Sequence, residues 1–306
     1  MTAVSPDTHG KRVRRFGSPT RQGARGFTLI ELIVVITIAA IISVFLVFFL
    51  TTPVESYFAQ TRRSDLVDSQ DRILRNVAAD VRTALPGSLR STASGNVMAL
   101  ELLATTGVAR YYSTGEKSYL PPAQELAQEL SIGSPDSTGF YTVGHYGVTT
   151  GAYLAVTRAV AASVYYAMTG IMTSQFKITV SNPTSEDHVT LTGGGFTFSG
   201  PSPTQSSFIV SGPVTYICDT TPTVQTLRRY WNYPVTSSQP YNPSAAPLAG
   251  PTVQSSLIAT NVTACTLTPY QPAGSNAGQM LLLRVTLASN GEVLQVFHEI
   301  STRYGP

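Results

Sequence analysis

Residues 26–36 read Gly-Phe-Thr-Leu-Ile-Glu-Leu-Ile-Val-Val-Ile, and apolar residues continue to Leu50, before Thr51-Thr52-Pro53. This run is long enough to cross a bilayer as a helix, which needs about 20 residues. Basic residues precede the run and few follow it closely, so we expect the amino terminus to stay in the cytoplasm and the rest of the chain to be exported. The stretch therefore predicts a single-pass membrane helix.

The position of Gly26 separates this segment from an ordinary secretory signal. Such a signal has a shorter apolar region that ends in a small-residue cleavage site. Here the small residue lies before the apolar run. A plain signal anchor is the alternative interpretation, and it explains the charge bias and the length but not Glu31.

Glu31 is the most informative residue of the run. A carboxylate inside an apolar span costs a few kcal/mol and is a functional hypothesis by default. It lies four residues after Phe27, which gains a free ammonium if the chain is cut after Gly26. A carboxylate that neutralises the amine of a neighbouring subunit would fix the register between subunits, because an unpaired buried charge is strongly penalised.

The stretch Gly26–Glu31 resembles the cleavage and methylation signal of the type IV prepilins, which pilins share with type II secretion pseudopilins. The resemblance implies cleavage between Gly26 and Phe27 by a prepilin peptidase, N-methylation of Phe27 by the same enzyme, and a role for Glu31 as the assembly carboxylate. It also implies other pilins or pseudopilins, the inner membrane and the pilus assembly platform as partners. The carboxy-terminal domain is then expected in the periplasm before assembly into a pilus or pseudopilus.

The net charge of +3 comes from the amino-terminal leader. Six of the 20 basic residues and one of the 17 acidic residues precede Phe27, so 14 basic and 16 acidic residues remain after it. The remaining chain is near neutral, and no nucleic-acid partner is expected.

The chain predicts four segments. A basic leader covers residues 1–26 and is removed, a transmembrane and filament-core helix covers 27–52, an amphipathic helix covers 53–86, and a β-rich domain covers 87–306. Pro53 is expected to kink or locally melt the helix, and Pro86-Gly87 to end it after Leu85. Apolar residues at three- and four-residue steps predict that the second helical part packs on the domain.

The region after Pro86 is typical of β-structure, with one short helix expected over Pro122–Leu130 and an inserted subdomain around Gly133–Gly200 as an alternative. The strongest local signal is Asn290-Gly291, a tight-turn pair between two apolar runs, Met280–Leu287 and Glu292–His298. The predicted class is α+β, with a long helical spine and a mainly antiparallel sheet domain. The other predicted strands are Val97–Leu103, Val108–Tyr112, Tyr153–Val156, Phe176–Val180, Val189–Leu191, Ser207–Val210, Val214–Cys218, Thr226–Tyr230 and Leu257–Thr260.

The chain has two cysteines, Cys218 and Cys265. An even pair in an exported chain predicts a disulfide. Two unpaired buried thiols are the alternative.

No residue pattern predicts an enzyme, a cofactor or a metal site. His145, His188 and His298 lack metal-ligand spacing, and Glu186-Asp187-His188 is interpreted as a solvated turn rather than a cation site. Arg228-Arg229-Tyr230-Trp231 is the one basic and aromatic cluster. It could contact DNA or sugar, but a strand alternating between core and surface is the simpler interpretation.

Three longer stretches narrow the family resemblance: Arg72–Pro86, Gly212–Asp219 and Ala259–Cys265. Together they resemble the minor pilins of the mannose-sensitive haemagglutinin (MSHA) pilus system, the MshO-like group. A large pseudopilin of the J-like kind from type II secretion is the alternative within the superfamily. A pilus-mounted adhesin or DNA-binding module, and a membrane-anchored enzyme, are alternatives from other classes.

Overall fold

The computed structural model describes residues 26–113, 129–133, 139–156, 165, 170–182, 186–193, 195–272 and 279–302. The leader before Gly26 and most of the helix expected over Pro122–Leu130 lie outside these residues. Within them, one long α-helix precedes thirteen β-strands, paired antiparallel. This confirms the α+β class with a mainly antiparallel domain. The chain divides into two compact units, Met1–Tyr57 and Phe58–Pro306.

The strands form two sheets. In the first sheet the order is β10-β9-β8-β2-β3-β7-β6, with β1 also paired to β2 and β4 paired to both β5 and β8. The second sheet has the order β11-β12-β13. The bounds are β1 Arg90–Ser94, β2 Val97–Tyr111, β3 Phe140–Val143, β4 Tyr153–Ala155, β5 Met172–Thr173, β6 Phe176–Asn182, β7 Glu186–Leu191, β8 Ser206–Asp219, β9 Thr226–Trp231, β10 Gln254–Thr260, β11 Val262–Tyr270, β12 Met280–Ser289 and β13 Glu292–Ser301.

The helix α1 covers Leu29–Arg82 and has 54 residues. Pro53 lies inside it, and the helical backbone continues through that position, so the predicted local melting is wrong. A proline removes one backbone donor and crowds the preceding turn. In a helix of 54 residues, one missing hydrogen bond is a small part of the backbone hydrogen bonding that stabilises it.

The carboxyl end of α1 lies three residues before the predicted end at Leu85. There the backbone leaves the helix to bond with β2. The Leu85 amide donates to the carbonyl of Leu103 at 2.8 Å, and the Thr105 amide donates to that of Thr83 at 3.0 Å. Pairing with the sheet therefore ends the helix before Pro86 is reached.

The core of the second unit lies between α1 and both sheets. Ile73, Val77 and Val81 are fully buried on one stripe of the helix. They belong to the same hydrophobic cluster as Tyr216 of β8 and Leu283 of β12. Each fully buried aliphatic side chain contributes about 1.5–3 kcal/mol, so this stripe is a principal stabilising contact of the unit.

A second hydrophobic cluster lies around β3 and β7. It includes Tyr111, Phe140, Val189 and Phe198, all nearly or fully buried. Because β3, β7 and β6 continue the first sheet beyond β2, the segment expected as an inserted subdomain extends that sheet and adds a core of its own.

The strands β2 and β8 are each longer than predicted. Where two strands were expected on either side of Thr105-Thr106-Gly107, β2 continues through irregularities in its pairing with β8. Gly107 also lets the backbone of Tyr146 lie close against β2, since a Cβ at position 107 would be 2.7 Å from the carbonyl oxygen of Tyr146. Small and turn-forming residues here mark a bulge rather than a loop.

The last hairpin agrees with the prediction. Ser289 pairs with Glu292, so Asn290 and Gly291 alone form the turn between β12 and β13. Their φ angles are 46° and 87°, as the tight turn that joins twisted strands requires.

Candidate functional site

The junction between Gly26 and Phe27 lies just before the start of α1. Both residues are exposed, and Phe27 has 80% of its surface accessible. A Cβ added at Gly26 would meet nothing within 4 Å. The described part of this chain therefore places no steric demand for glycine at position 26.

Thr28 caps the helix. Its hydroxyl oxygen accepts a hydrogen bond from the amide of Glu31 at 3.3 Å, and its carbonyl accepts one from the amide of Leu32 at 3.1 Å. Thr-x-x-Glu is the spacing of a capping box, in which the two residues satisfy free donors of the first turn. The Thr28-x-x-Glu31 spacing is the sequence signal for this cap.

Glu31 is placed in the first turn of α1. The amino end of a helix carries partial positive charge, which stabilises a carboxylate there. The cap thus holds the Glu31 backbone in a defined place one helical turn after Phe27. This gives a physical reason for a glutamate at this position within a single chain.

The helix after the cap is apolar and uncovered. Leu29–Leu46 forms one candidate membrane span, with a mean hydropathy of 2.9 and no buried residue. Its hydroxyls are satisfied locally, since Thr37 donates to the carbonyl of Val34 and Ser43 to that of Ala39. Such a surface needs lipid or other apolar helices around it, and Glu31 is the only charged residue in the span.

The two cysteines are brought together from different sheets. Cys218 lies on β8 and is fully buried, and Cys265 lies on β11 against the same cluster. A hydrogen bond in which the Cys265 thiol donates to the Cys218 side chain, with burial in addition, raises the pKa of the Cys265 thiol. Both are free thiols in this structure, so the disulfide stays a prediction, now between neighbouring side chains.

The interpretation of Glu186-Asp187-His188 as a solvated turn is wrong. The three residues begin β7, and Glu186 and Asp187 are almost fully buried. The Tyr112 hydroxyl donates to Glu186 at 2.8 Å, while Asp187 lies 2.8 Å from the Nδ1 atom of His145. Hydrogen bonds hold both carboxylates inside the fold, and the described residues contain no group of three or more His, Cys, Asp or Glu side chains that could hold a metal.

A second buried carboxylate was missed from the sequence. Glu101 of β2 is fully buried and pairs in register with Arg90 of β1. The Arg90 Nε atom donates to it at 2.6 Å, and the Tyr233 hydroxyl at 3.1 Å. Burial raises the pKa of Glu101 to about 7, against the opposing effect of Arg90. The one indication of this ion pair is that Arg90 and Glu101 are opposite each other in the β1–β2 pairing, and that pairing is evident only once β1 is known.

The basic and aromatic cluster lies on β9, as the simpler interpretation predicted. Tyr230 is buried, while Arg229 and Trp231 are partly exposed. The Arg229 guanidinium binds both carboxylate oxygens of Asp80 in α1, at 2.6 and 3.2 Å. Its charge is therefore largely neutralised within the chain.

Residues 21–47 match the prokaryotic N-terminal methylation motif. This motif is the type IV pilin signal, and it supports a place for the chain in the prepilin superfamily, with processing by a prepilin peptidase. A single amino-terminal apolar helix with this motif fits a membrane-anchored, pilin-type structural subunit. No curated protein and no solved structure matches the chain.

Proposed function

We propose that this chain is a minor pilin-like structural subunit that takes part in the biogenesis of a type IV pilus. The observation that carries the proposal is the placement of Glu31. It is the only charged residue in Leu29–Leu46, it lies in the first turn of α1, and it lies four residues after Phe27 within the matched motif.

The first step is maturation at the inner membrane. A prepilin peptidase cuts the peptide bond between Gly26 and Phe27 and methylates the new amine of Phe27. Because Gly26 has open space around it in this chain, its small size serves the enzyme that must hold the extended junction. The leader with its six basic residues stays on the cytoplasmic side.

The second step is entry into a filament. The segment over residues 27–52 leaves the bilayer for a bundle of like helices. The segment over 53–86, helical as far as Arg82, stays with the head formed by residues 87–306. In a bundle of low dielectric, Glu31 of one subunit pairs with the Phe27 amine of its neighbour. The pairing favours one axial register, since every other register leaves both charges unpaired.

Before assembly the subunit is a single-pass inner-membrane protein with a periplasmic head. Its partners are the prepilin peptidase, the assembly platform, and other pilins or pseudopilins. The exposed apolar surface of Leu29–Leu46 accounts for both environments, because lipid tails and neighbouring apolar helices cover it equally well.

Mass spectrometry of assembled filaments tests this role. Sheared surface filaments and the membrane fraction are digested and searched for peptides of this chain. We expect a peptide that starts at N-methylated Phe27 in the filament fraction, at low abundance relative to a major subunit. Recovery of the chain only from membranes, with its leader still attached, would contradict the proposal.

The finer assignment is to MSHA-type pili, with a J-like type II secretion pseudopilin as the alternative. The stretches Arg72–Pro86, Gly212–Asp219 and Ala259–Cys265 support the MSHA assignment. Deletion of the gene distinguishes the two. Loss of surface pili with normal protein secretion supports the first, and loss of secretion with normal pili supports the second.

We also propose that Cys218 and Cys265 form a disulfide after export. The pairing would connect β8 of the first sheet to β11 of the second. The adjacency of the two thiols supports it, as does the oxidising character of the periplasm.

A further inference from the structure

A groove on the head is centred on Trp231, the only tryptophan of the chain. Trp231 ends β9, packs on the main core with part of its surface, and remains partly exposed. It borders two cavities at once. One, of about 340 Å³, is lined by Asn76 and Ser256, and the other, of about 270 Å³, by Asn232 and Gln254. Small-molecule sites in proteins begin at about 300 Å³, so the first cavity reaches this size and the second falls slightly below it.

The indole ring is held in place from one side. The Arg229 guanidinium carbon lies 4.8 Å from the centre of the Trp231 ring. Arg229 is in turn fixed by Asp80, which also accepts a 2.6 Å hydrogen bond from the Tyr216 hydroxyl. A ring whose orientation is already fixed loses little conformational freedom when a ligand stacks on it.

The cations of the groove are paired within the chain. Arg229 is bound by both oxygens of Asp80, and Arg75 forms an ion pair of 2.9 Å with Asp71. A phosphate group would have to compete with these carboxylates for each guanidinium. The electrostatics therefore favour an uncharged ligand over a nucleic acid.

The remaining polar lining consists of amides and hydroxyls. The Asn76 amide is held by the carbonyl of Arg72 and the Asn232 amide by that of Thr252, each at 2.8 Å. Side-chain amides and hydroxyls both donate and accept hydrogen bonds. That combination suits a ligand with several neighbouring hydroxyl groups, each of which is also donor and acceptor.

We propose that this groove binds an uncharged saccharide. The apolar C–H face of one sugar ring stacks on Trp231, and ring hydroxyls bond to Asn76 and Ser256 on one side and to Asn232 and Gln254 on the other. The two cavities accept adjoining rings, so the expected ligand has at least two sugar units. The site belongs to the head alone and does not depend on entry into a filament.

The single tryptophan makes the groove observable in the native protein. The full mature chain is kept in micelles of a detergent without a sugar headgroup, and Trp231 fluorescence is followed during titration. The probes are four neutral trisaccharides, built of glucose, mannose, galactose or N-acetylglucosamine. We expect at least one to give a saturable change in emission that is insensitive to salt.

Three variants locate the binding. Gln254→Ala and Asn232→Gly each remove a side-chain amide, and glycine suits position 232 because its φ is 65°. Each variant is expected to bind the saccharide about three- to tenfold more weakly, which corresponds to the loss of one hydrogen bond. Trp231→Leu keeps an apolar residue against the core. Its affinity for the saccharide, measured by calorimetry, is expected to fall at least about tenfold, since a stacking partner is gone.

Phe297→Leu is the matched control, because it makes the same kind of change at an exposed aromatic residue on β13. It is expected to bind like the unchanged chain. No saturable response to any of the four trisaccharides would overturn the proposal. A salt-sensitive response to single-stranded oligothymidylate in their place would also overturn it, and so would equal losses in the Trp231 and Phe297 variants.

Discussion

Gly26 and Thr28 show how single residues prepare the amino-terminal junction. Thr28 begins the helix by accepting a hydrogen bond from the Glu31 amide, while a Cβ added at Gly26 would meet nothing within 4 Å in the described chain. The first is explained by the fold of this protein. For the second we propose recognition by an external peptidase, so the two positions should respond differently to substitution.

Gly26→Val is expected to block removal of the leader and leave the head folded. A branched side chain meets open space in this chain but crowds a peptidase site that accepts glycine. Intact mass of the membrane-extracted protein measures processing. Gly23→Val, a change at another leader glycine, is the control and should be processed normally. Complete processing of the Gly26→Val chain would refute the cleavage assignment.

Glu101 is expected to make the stability of the head depend on pH. Its pKa is about 7 in the folded protein and 4.5 ordinarily, so between these values the folded state holds a proton that the unfolded state has lost. The free energy of unfolding should therefore fall as pH rises from about 4.5 to 7, by about 3 kcal/mol at most.

Denaturation followed by Trp231 fluorescence at several pH values measures this slope. In Glu101→Gln the Glu101 contribution should vanish, whatever the overall stability of the variant. A slope equal in both chains would rule Glu101 out as its source.

At the scale of elements, local signals predicted some structures and tertiary contacts decided others. The β12–β13 turn was predictable, because Asn290-Gly291 demands its own geometry. The continuity of β2 through Gly107 was not, because it depends on pairing with β8 and on the nearby Tyr146. The burial of Glu186 was equally hidden, since its hydrogen-bond partner Tyr112 is 74 residues away in the chain.

The turn of the last hairpin provides a prediction at this scale. Gly291→Ala places a Cβ on a residue with a φ of 87° and should lower the free energy of unfolding by about 1–2 kcal/mol. Asn290→Gly tolerates its φ of 46° and should change the free energy of unfolding by only about a few tenths of a kcal/mol. Chemical denaturation of both variants measures the difference. Equal stability of the two would show that the turn geometry contributes little.

At the scale of the whole molecule, the two neighbouring thiols lie on different sheets of the head. Oxidation of Cys218 and Cys265 would close a loop of about 48 residues, for which chain entropy gives a stabilisation of about 4 kcal/mol. Thiol labelling of exported protein, denatured without reductant, is expected to be negative. Added reductant should restore labelling and lower the melting temperature. Strong labelling before reduction would show that the thiols are free.

The molecule combines an apolar helix, which needs a partner surface, with a folded head that has its own core. The sequence was sufficient to predict the apolar helix and the class of the head, because these depend on local pattern. The Asp80–Arg229–Trp231 arrangement could not be predicted, since α1 and β9 are far apart in the chain and only folding brings them together.

We propose that Glu31 directs assembly of the processed subunit, and two charge-removing variants on the same helix test that claim. Glu31→Gln keeps the length and hydrogen-bonding capacity of the side chain and removes its charge. Asp65→Asn makes the matching change on the same helix outside the apolar span. The amount of each chain in sheared filaments is measured together with its mass. We predict that the Glu31→Gln chain begins at Phe27 yet is lost from filaments, while Asp65→Asn assembles normally. Wild-type amounts of processed Glu31→Gln in filaments would contradict the claim.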